Sequence, residues 1–152
     1  MDWVPLFFID AVCHQLRFPA FQKVSQLAST WSEFGFEHGE KRREFQFACK
    51  MESREASYII RDENCKYRKV LITDLNLEYD RITSVTCECA EIGKIWLSLD
   101  EFQRDVLPTV ASLAANCFWS NFNTDQNEPN RIFYSAFKNC PGFNVISVQE
   151  QS

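Results

Sequence analysis

The chain changes character across Glu40-Lys41-Arg42-Arg43-Glu44-Phe45-Gln46-Phe47-Ala48-Cys49. The first half of this stretch is a charged run, read as solvated surface. The second half sets Phe45, Phe47 and Cys49 at alternate positions, the period of a half-buried strand. Upstream, apolar residues recur at helical spacing. Phe8, Val12 and Leu16 stand at i, i+4 and i+8, with Ile9 and Cys13 beside them. Phe21, Val24, Leu27 and Trp31 carry a second helical stretch, and a third short piece is expected from Ser32 to about Arg43. Pro5 and Pro19 sit where a helix's first turn accepts proline, and Pro19 separates the first two helices.

Downstream, strand signals dominate. Tyr58-Ile59-Ile60, Lys69 to Ile72, Ile82 to Cys89 and Ile95 to Leu99 are the candidates, and Lys50 to Ala56 is a polar hairpin connection. The last third alternates helix and strand. Asp100 is expected to cap a helix, with Gln103 three residues on, and Phe102, Val106, Val110 and Leu113 line one face. Pro108 should kink or divide that helix. Cys117 to Phe122 reads as a strand. Pro129 opens another helix, with Ile132, Phe133, Ala136 and Phe137 inward, and Phe143 to Val148 is the last strand. Helix and strand in alternation with short joints predict parallel pairing. The expected class is α+β: a helical module over residues 1–43, then a mixed region over 44–150.

The chain has 152 residues, enough to bury about two-thirds of its unfolded surface. Apolar residues make up 45% and charged residues 24%, which excludes wholesale disorder. The net charge is -5 and there is no long basic run, so phosphate-neutralising nucleic-acid binding is not expected. No apolar run reaches the roughly eighteen residues of a membrane helix. Residues Met1 to Asp10 lack the basic start of a secretory leader. Seven cysteines without such a leader point to free thiols in a reducing compartment, the cytoplasm or nucleus.

The spacing of the first 31 residues carries the most information. After Pro5 come Phe8, Val12, Leu16, Phe21, Leu27 and Trp31 without a gap. This pattern resembles the F-box. Val4 stands where that motif usually has Leu, Phe7 where an acid is common, and Ala20 and Ala28 where Asp and Cys are frequent. The apolar skeleton is kept and the polar signature is lost. The opening Met1, Asp2, Val4, Pro5, Phe8, together with Ser29, Trp31, Ser32 and Lys41-Arg42-Arg43, is similar to nematode F-box-like proteins. Those carry a C-terminal region related to leucine-rich repeats.

A repeat reading fits that resemblance. Asn-Cys occurs at Asn64-Cys65, Asn116-Cys117 and Asn139-Cys140, and the last two pairs each follow an apolar helix and precede a strand. The segment from Ala136 to Val148 looks like the cysteine-containing leucine-rich repeat, whose period is about 20–29 residues. The alternative is chance recurrence in a cysteine-rich chain.

The resemblance implies adaptor work. An F-box docks on the Skp-family subunit of a cullin–RING ubiquitin ligase, and the rest of the chain holds a protein substrate. The implied partner-binding residues are Val4, Pro5, Phe8, Ile9, Val12, Leu16, Phe21, Leu27 and Trp31, the first four as anchors, while Val12, Leu16, Leu27 and Trp31, with Val24, serve either the internal core or the partner. Trp3, Phe7 and Phe8 add the aromatic content of an interface. The rival reading is a stand-alone interaction protein that keeps the F-box-like fold without the partner surface.

Other constellations imply less. Cys87-Glu88-Cys89 puts two thiols on one face of a strand, but a zinc site needs two more ligands, and His14 and His38 lie in the helical part. Cys13 and His14 are adjacent, so on a helix their side chains diverge by about 100°. The four Gly are too scattered for a phosphate loop. The basic clusters at Lys41-Arg42-Arg43 and around Tyr67 are flanked by acids. No catalytic residue, cofactor, metal, nucleic acid or membrane is therefore expected.

Overall fold

The computed structural model describes residues 4–16, 18–65, 68–87, 95–121, 127–140 and 144–147. The chain is α+β. It divides into two compact units, Met1–Arg43 and Glu44–Ser152.

The first unit is helical: α1 (Leu6–Gln15), α2 (Phe18–Val24) and α3 (Thr30–Lys41). Pro5 lies just before α1, and its carbonyl accepts from the amides of Phe8 and Ile9 at 2.9 and 3.3 Å. The second helix is shorter than its apolar period predicts. It stops at Val24, Ser25 and Leu27 fold back by turn bonds to Phe21 and Val24, and Trp31 belongs to α3. The cause is Ser29, whose side chain accepts from the amide of Trp31 and starts a new helix there.

Gly35 sets the close approach of α2 and α3. A Cβ there would lie 2.7 Å from Val24 Cγ1 and 3.0 Å from the Ser25 amide nitrogen. The unit's own core is small: Ile9, Cys13 and Phe21 are buried, with Val4, Leu16, Val24, Trp31 and Phe34 packed around them.

The second unit is a sheet with helices. Its strands are β1 (Glu44–Met51), β2 (Glu55–Asp62), β3 (Lys69–Val70), β4 (Arg81–Cys87), β5 (Trp96–Ser98), β6 (Ala114–Asn121) and β7 (Asn144–Ser147). The order is β3-β2-β1-β4-β6-β7. A hairpin joins β1 to β2 antiparallel, and the amide of Glu52 bonds the carbonyl of Glu55 to close it. The far edge of β2 is divided: β5 pairs with Glu55 to Ser57, and β3 with Ile60 and Arg61. From β1 outward through β4, β6 and β7 all pairing is parallel. Each parallel step between β4 and β7 passes through helix, as the alternation in sequence predicts.

The connection from β5 to β6 departs from the expected helix. Ser98 is its cap, not Asp100. The Ser98 hydroxyl accepts from the Glu101 amide while the Glu101 carboxylate accepts from the Ser98 amide at 3.1 Å. This capping box places the start two residues earlier than the Asp100–Gln103 pair suggests. A first turn, α4 (Leu99–Glu101), leads into a π-helical stretch (Phe102–Val106) and then α5 (Leu107–Leu113). Pro108 explains the wide turn. It lacks an N–H for the ladder, and the amide of Leu107 reaches back five residues to the carbonyl of Phe102. The last helix is α6 (Asn127–Phe137), opening two residues before Pro129.

Phe45, Phe47, Cys49 and Met51 of β1 enter one large core with Ile60, Ile82, Val85, Phe102, Val106, Val110, Leu113 and Phe137. The rings of Phe47, Tyr58 and Phe102 lie within 5.7–6.3 Å of one another. Each fully buried Phe contributes about 1.5–3 kcal/mol. Ala48 and Ile59 form a separate small cluster.

Other expectations change in detail. Only Lys69 and Val70 of the segment to Ile72 are strand, because Ile72–Asp74 turns into a 3-10 helix. Before β4, the buried Asp80 carboxylate accepts from the Asn76 amide at 2.7 Å and fixes the approach to the strand. Glu88, Cys89, Lys66, Tyr67, Phe122, Phe143 and Val148 lie outside the described residues, as does the side chain of Phe133. No helix among the described residues is long and apolar enough to cross a membrane.

Candidate functional site

The helical unit carries the candidate site. Along α1 the pattern is i, i+4: Ile9 and Cys13 point inward. Leu6, Phe7, Phe8 and Ala11 are left on the surface. Phe7 is 76% exposed, Leu6 59% and Phe8 49%. The Phe8 ring stands edge-on to Trp31, with centroids 6.4 Å apart, which holds it half out of the surface. Leu27, in the connection after α2, is 49% exposed, and Phe36 on α3 is 60% exposed.

The resemblance implies nine partner-binding residues. Pro5, Phe8 and Leu27 are exposed; Val4, Val12, Leu16 and Trp31 are half-buried. Ile9 and Phe21 are different, being 2% and 3% exposed within the unit's own core. The resemblance makes them candidates for a partner surface, but a closed three-helix unit needs apolar residues for itself and takes these two. Leu6, Phe7 and Phe36 take their place on the outside. Sequence reading treated Phe7 only as aromatic content and passed over Leu6 and Phe36. The helical wheel of α1 is the signal that finds Phe7, which lies opposite the Ile9–Cys13 stripe; Leu6, three residues before Ile9, shares the side of that stripe, and its exposure is not read from the wheel.

No family model matches this chain, and no curated protein or solved structure does either. The functional reading therefore rests on the residues themselves. Contiguous exposed apolar patches mark interaction sites, whereas singly scattered residues are ordinary. Leu6, Phe7 and Phe8 are consecutive, unlike the comparably exposed Leu71, Leu77 and Ile95 of the sheet unit. Aromatic residues at such a surface act as anchors because they bury large area at small entropic cost.

A polar cluster sits in the same unit. The Asp10 carboxylate lies 2.8 Å from Nε2 of His38 by Oδ1 and 3.2 Å from Nε2 of His14 by Oδ2. The two imidazoles meet edge to face, with centroids 4.6 Å apart. Asp10 and His14 are one turn apart on α1, while His38 arrives from α3. His38 is buried at 1% exposure and the Asp10 side chain is open at 43%. These three side chains are the group among the described residues able to hold a metal ion.

Arg42, in the charged run expected at the solvated surface, is instead 6% exposed and closes the end of α1. Its Nη1 donates to the carbonyls of Cys13 at 3.3 Å and His14 at 3.5 Å, and its guanidinium lies 5.0 Å from the centre of the Phe21 ring. Both acts suit a cation at a helix C-terminus. Burial pushes the Cys13 thiol up, and the Asp10 carboxylate adds to this while Arg42 opposes it. Cys13 is thus held as a neutral thiol, unlike an activated nucleophile. Burial raises the Cys140 thiol in the same way.

The second unit contributes a cleft of about 620 Å3 between α5 and α6. Leu107, Ala111, Ile132 and Ala136 supply its apolar lining, and the exposed Gln103 and Arg131 its polar groups.

Proposed function

We propose that this chain is a substrate-recognition adaptor of a cullin–RING ubiquitin ligase, docking a Skp-family subunit through its helical unit. The observation that carries this reading is the run Leu6, Phe7 and Phe8, exposed around the first helical turn of a three-helix unit whose apolar spacing resembles the F-box. The proline turn directs that run, and Trp31 steadies Phe8. The docking surface then comprises Pro5, Leu6, Phe7, Phe8 and Leu27, with Val4 at its margin. Ile9 and Phe21 support it from beneath. The sheet unit, ending in parallel β-α-β steps that resemble leucine-rich repeats, would hold the target protein. Its cleft between α5 and α6 offers an apolar seat with a guanidinium beside it. The reading needs no catalytic residue in this chain and places its work in the cytoplasm or nucleus.

The test is a pull-down of the purified chain with Skp-family adaptors, comparing wild type with Pro5→Ala/Phe8→Ala and with Phe7→Ala. Capture by wild type and at least about tenfold weaker capture by the variants supports the reading, since anchors at a packed interface are each worth about 2 kcal/mol or more. A folded wild-type chain that captures none of these adaptors overturns it. That result would favour the stand-alone interaction protein, which keeps the helical unit and uses the exposed run for another partner.

A further inference from the structure

Two histidines and one carboxylate converge in the helical unit, and nothing in the adaptor reading uses them. One donor atom from each of Asp10, His14 and His38 lies within 4.8 Å of the others. Zinc binds imidazole nitrogen and carboxylate oxygen at about 2.0–2.2 Å, so two ligands of a tetrahedral ion stand about 3.3 Å apart. The Asp10–His38 and Asp10–His14 separations are 2.8 and 3.2 Å. These two separations, one to each carboxylate oxygen, are within about half an ångström of that spacing, and the two imidazole nitrogens lie within 4.8 Å of each other. Two imidazoles exclude the all-oxygen preference of calcium and magnesium. The absence of thiolate from the set excludes a closed cysteine cage.

The geometry points to a zinc-class divalent cation site formed by Asp10, His14 and His38. Three protein ligands would leave a fourth position for water, and Asp10, whose side chain is 43% exposed, keeps the cluster open to solvent. The backbone supports the set. Asp10 and His14 are placed at i, i+4, so one face of α1 presents both. His38 is fixed by burial and by the Phe21 ring, stacked at 6.0 Å. Arg42 holds the carbonyl of His14 and so anchors the end of α1 on which the ligand sits. The site joins positions 28 residues apart, Asp10 and His38. Its role is a staple between α1 and α3, stiffening the unit that displays Phe7 and Phe8.

The experiment is a titration of the full chain, stripped with a chelator, with Co2+ followed by displacement with Zn2+. Cobalt distinguishes this site from the chain's seven cysteines. Coordination by nitrogen and oxygen gives visible d–d absorption without the near-ultraviolet charge transfer of a cobalt thiolate. The same titration is run on Asp10→Asn and His14→Gln, each partly open to solvent, with circular dichroism to show that each is folded.

The expected result is one cobalt per chain, no thiolate band, and affinity at least about tenfold weaker in each variant. Zinc at a hundred times its Kd should also raise the folded-to-unfolded ratio about a hundredfold in wild type. The variants should lose that gain. Three results would overturn the site: no cobalt bound by the folded chain, a spectrum dominated by thiolate, or equal affinity in wild type and both variants. In any of these cases the cluster is a hydrogen-bonded lock between two helices.

Discussion

The two units differ in how many of their described phenylalanine rings they bury. In the sheet unit, Phe45, Phe47, Phe102 and Phe137 are all completely buried, around a core that takes one face of β1 and the helices from Phe102 onward. In the helical unit, among the described phenylalanine side chains, only Phe21 is so deeply placed; Phe7 and Phe36 stand largely in solvent and Phe8 is half exposed. A sheet with helices against one face has room for large rings. Three short helices closing on Ile9, Cys13 and Phe21 do not. The rings that find no room inside remain available to another molecule. The contrast teaches that the described phenylalanines of the sheet unit go into its core, while the helical unit keeps Phe21 inside and leaves Phe7, Phe8 and Phe36 outside.

The sharpest way to break this contrast is one substitution in each unit. Phe102→Ala should cost about 3–5 kcal/mol, because it empties a fully buried ring site between Phe47 and Tyr58. Phe7→Ala should change stability by no more than about 0.5 kcal/mol. Urea denaturation of both variants measures the difference. Equal costs would mean that Phe7 is a structural residue and that the recognition argument is wrong.

The next largest effect concerns how the helical unit closes. Gly35→Ala forces a methyl against Val24 and should cost about 1–3 kcal/mol, where alanine in a helix otherwise stabilises. A thermal melt that rises instead would show that α2 and α3 have slack. A smaller effect is expected in the sheet unit. Ser98→Ala removes the cap of the β5–β6 helical connection and should cost about 1 kcal/mol. If Asp100→Ala proved more damaging than Ser98→Ala, the cap would be assigned to the wrong residue.

The smallest effect is a pH dependence. Bonds from the side chain and then the backbone amide of Ser98 hold the Glu101 carboxyl below its usual range. A carboxyl lowered in the folded state binds fewer protons there than in the unfolded chain. Its contribution is therefore present above the unfolded value near 4.5 and fades as pH falls through the folded one. Full exposure keeps it small. Melting temperatures of wild type and Glu101→Gln should differ at neutral pH and converge in acid. A constant gap across that range would assign the loss to something other than the carboxylate's charge.

Much of the scaffold was legible in the chain itself. The switch from helical to alternating spacing falls where β1 begins at Glu44. The helical face of Phe102, Val106, Val110 and Leu113 is buried as its period requires. Helix and strand in turn after Ser98 do produce parallel pairing. These features are local: a side chain's period is set by its own backbone. Pro108 likewise announced a disturbed helix, and the chain answered with a π turn.

What the sequence left open depended on contacts between distant residues. Spacing placed Ile9 and Phe8 on neighbouring positions without saying which one the helical unit would keep. Packing of α1 on α3 decided it, burying Ile9 and leaving Phe8 at the surface against Trp31. Gly35 looked like one of four scattered glycines until α2 was laid across it. His14 and His38 read as unrelated residues of two helices. Only the tertiary fold brings both onto Asp10, because an i, i+4 pair is written in one helix while the third group must come from another.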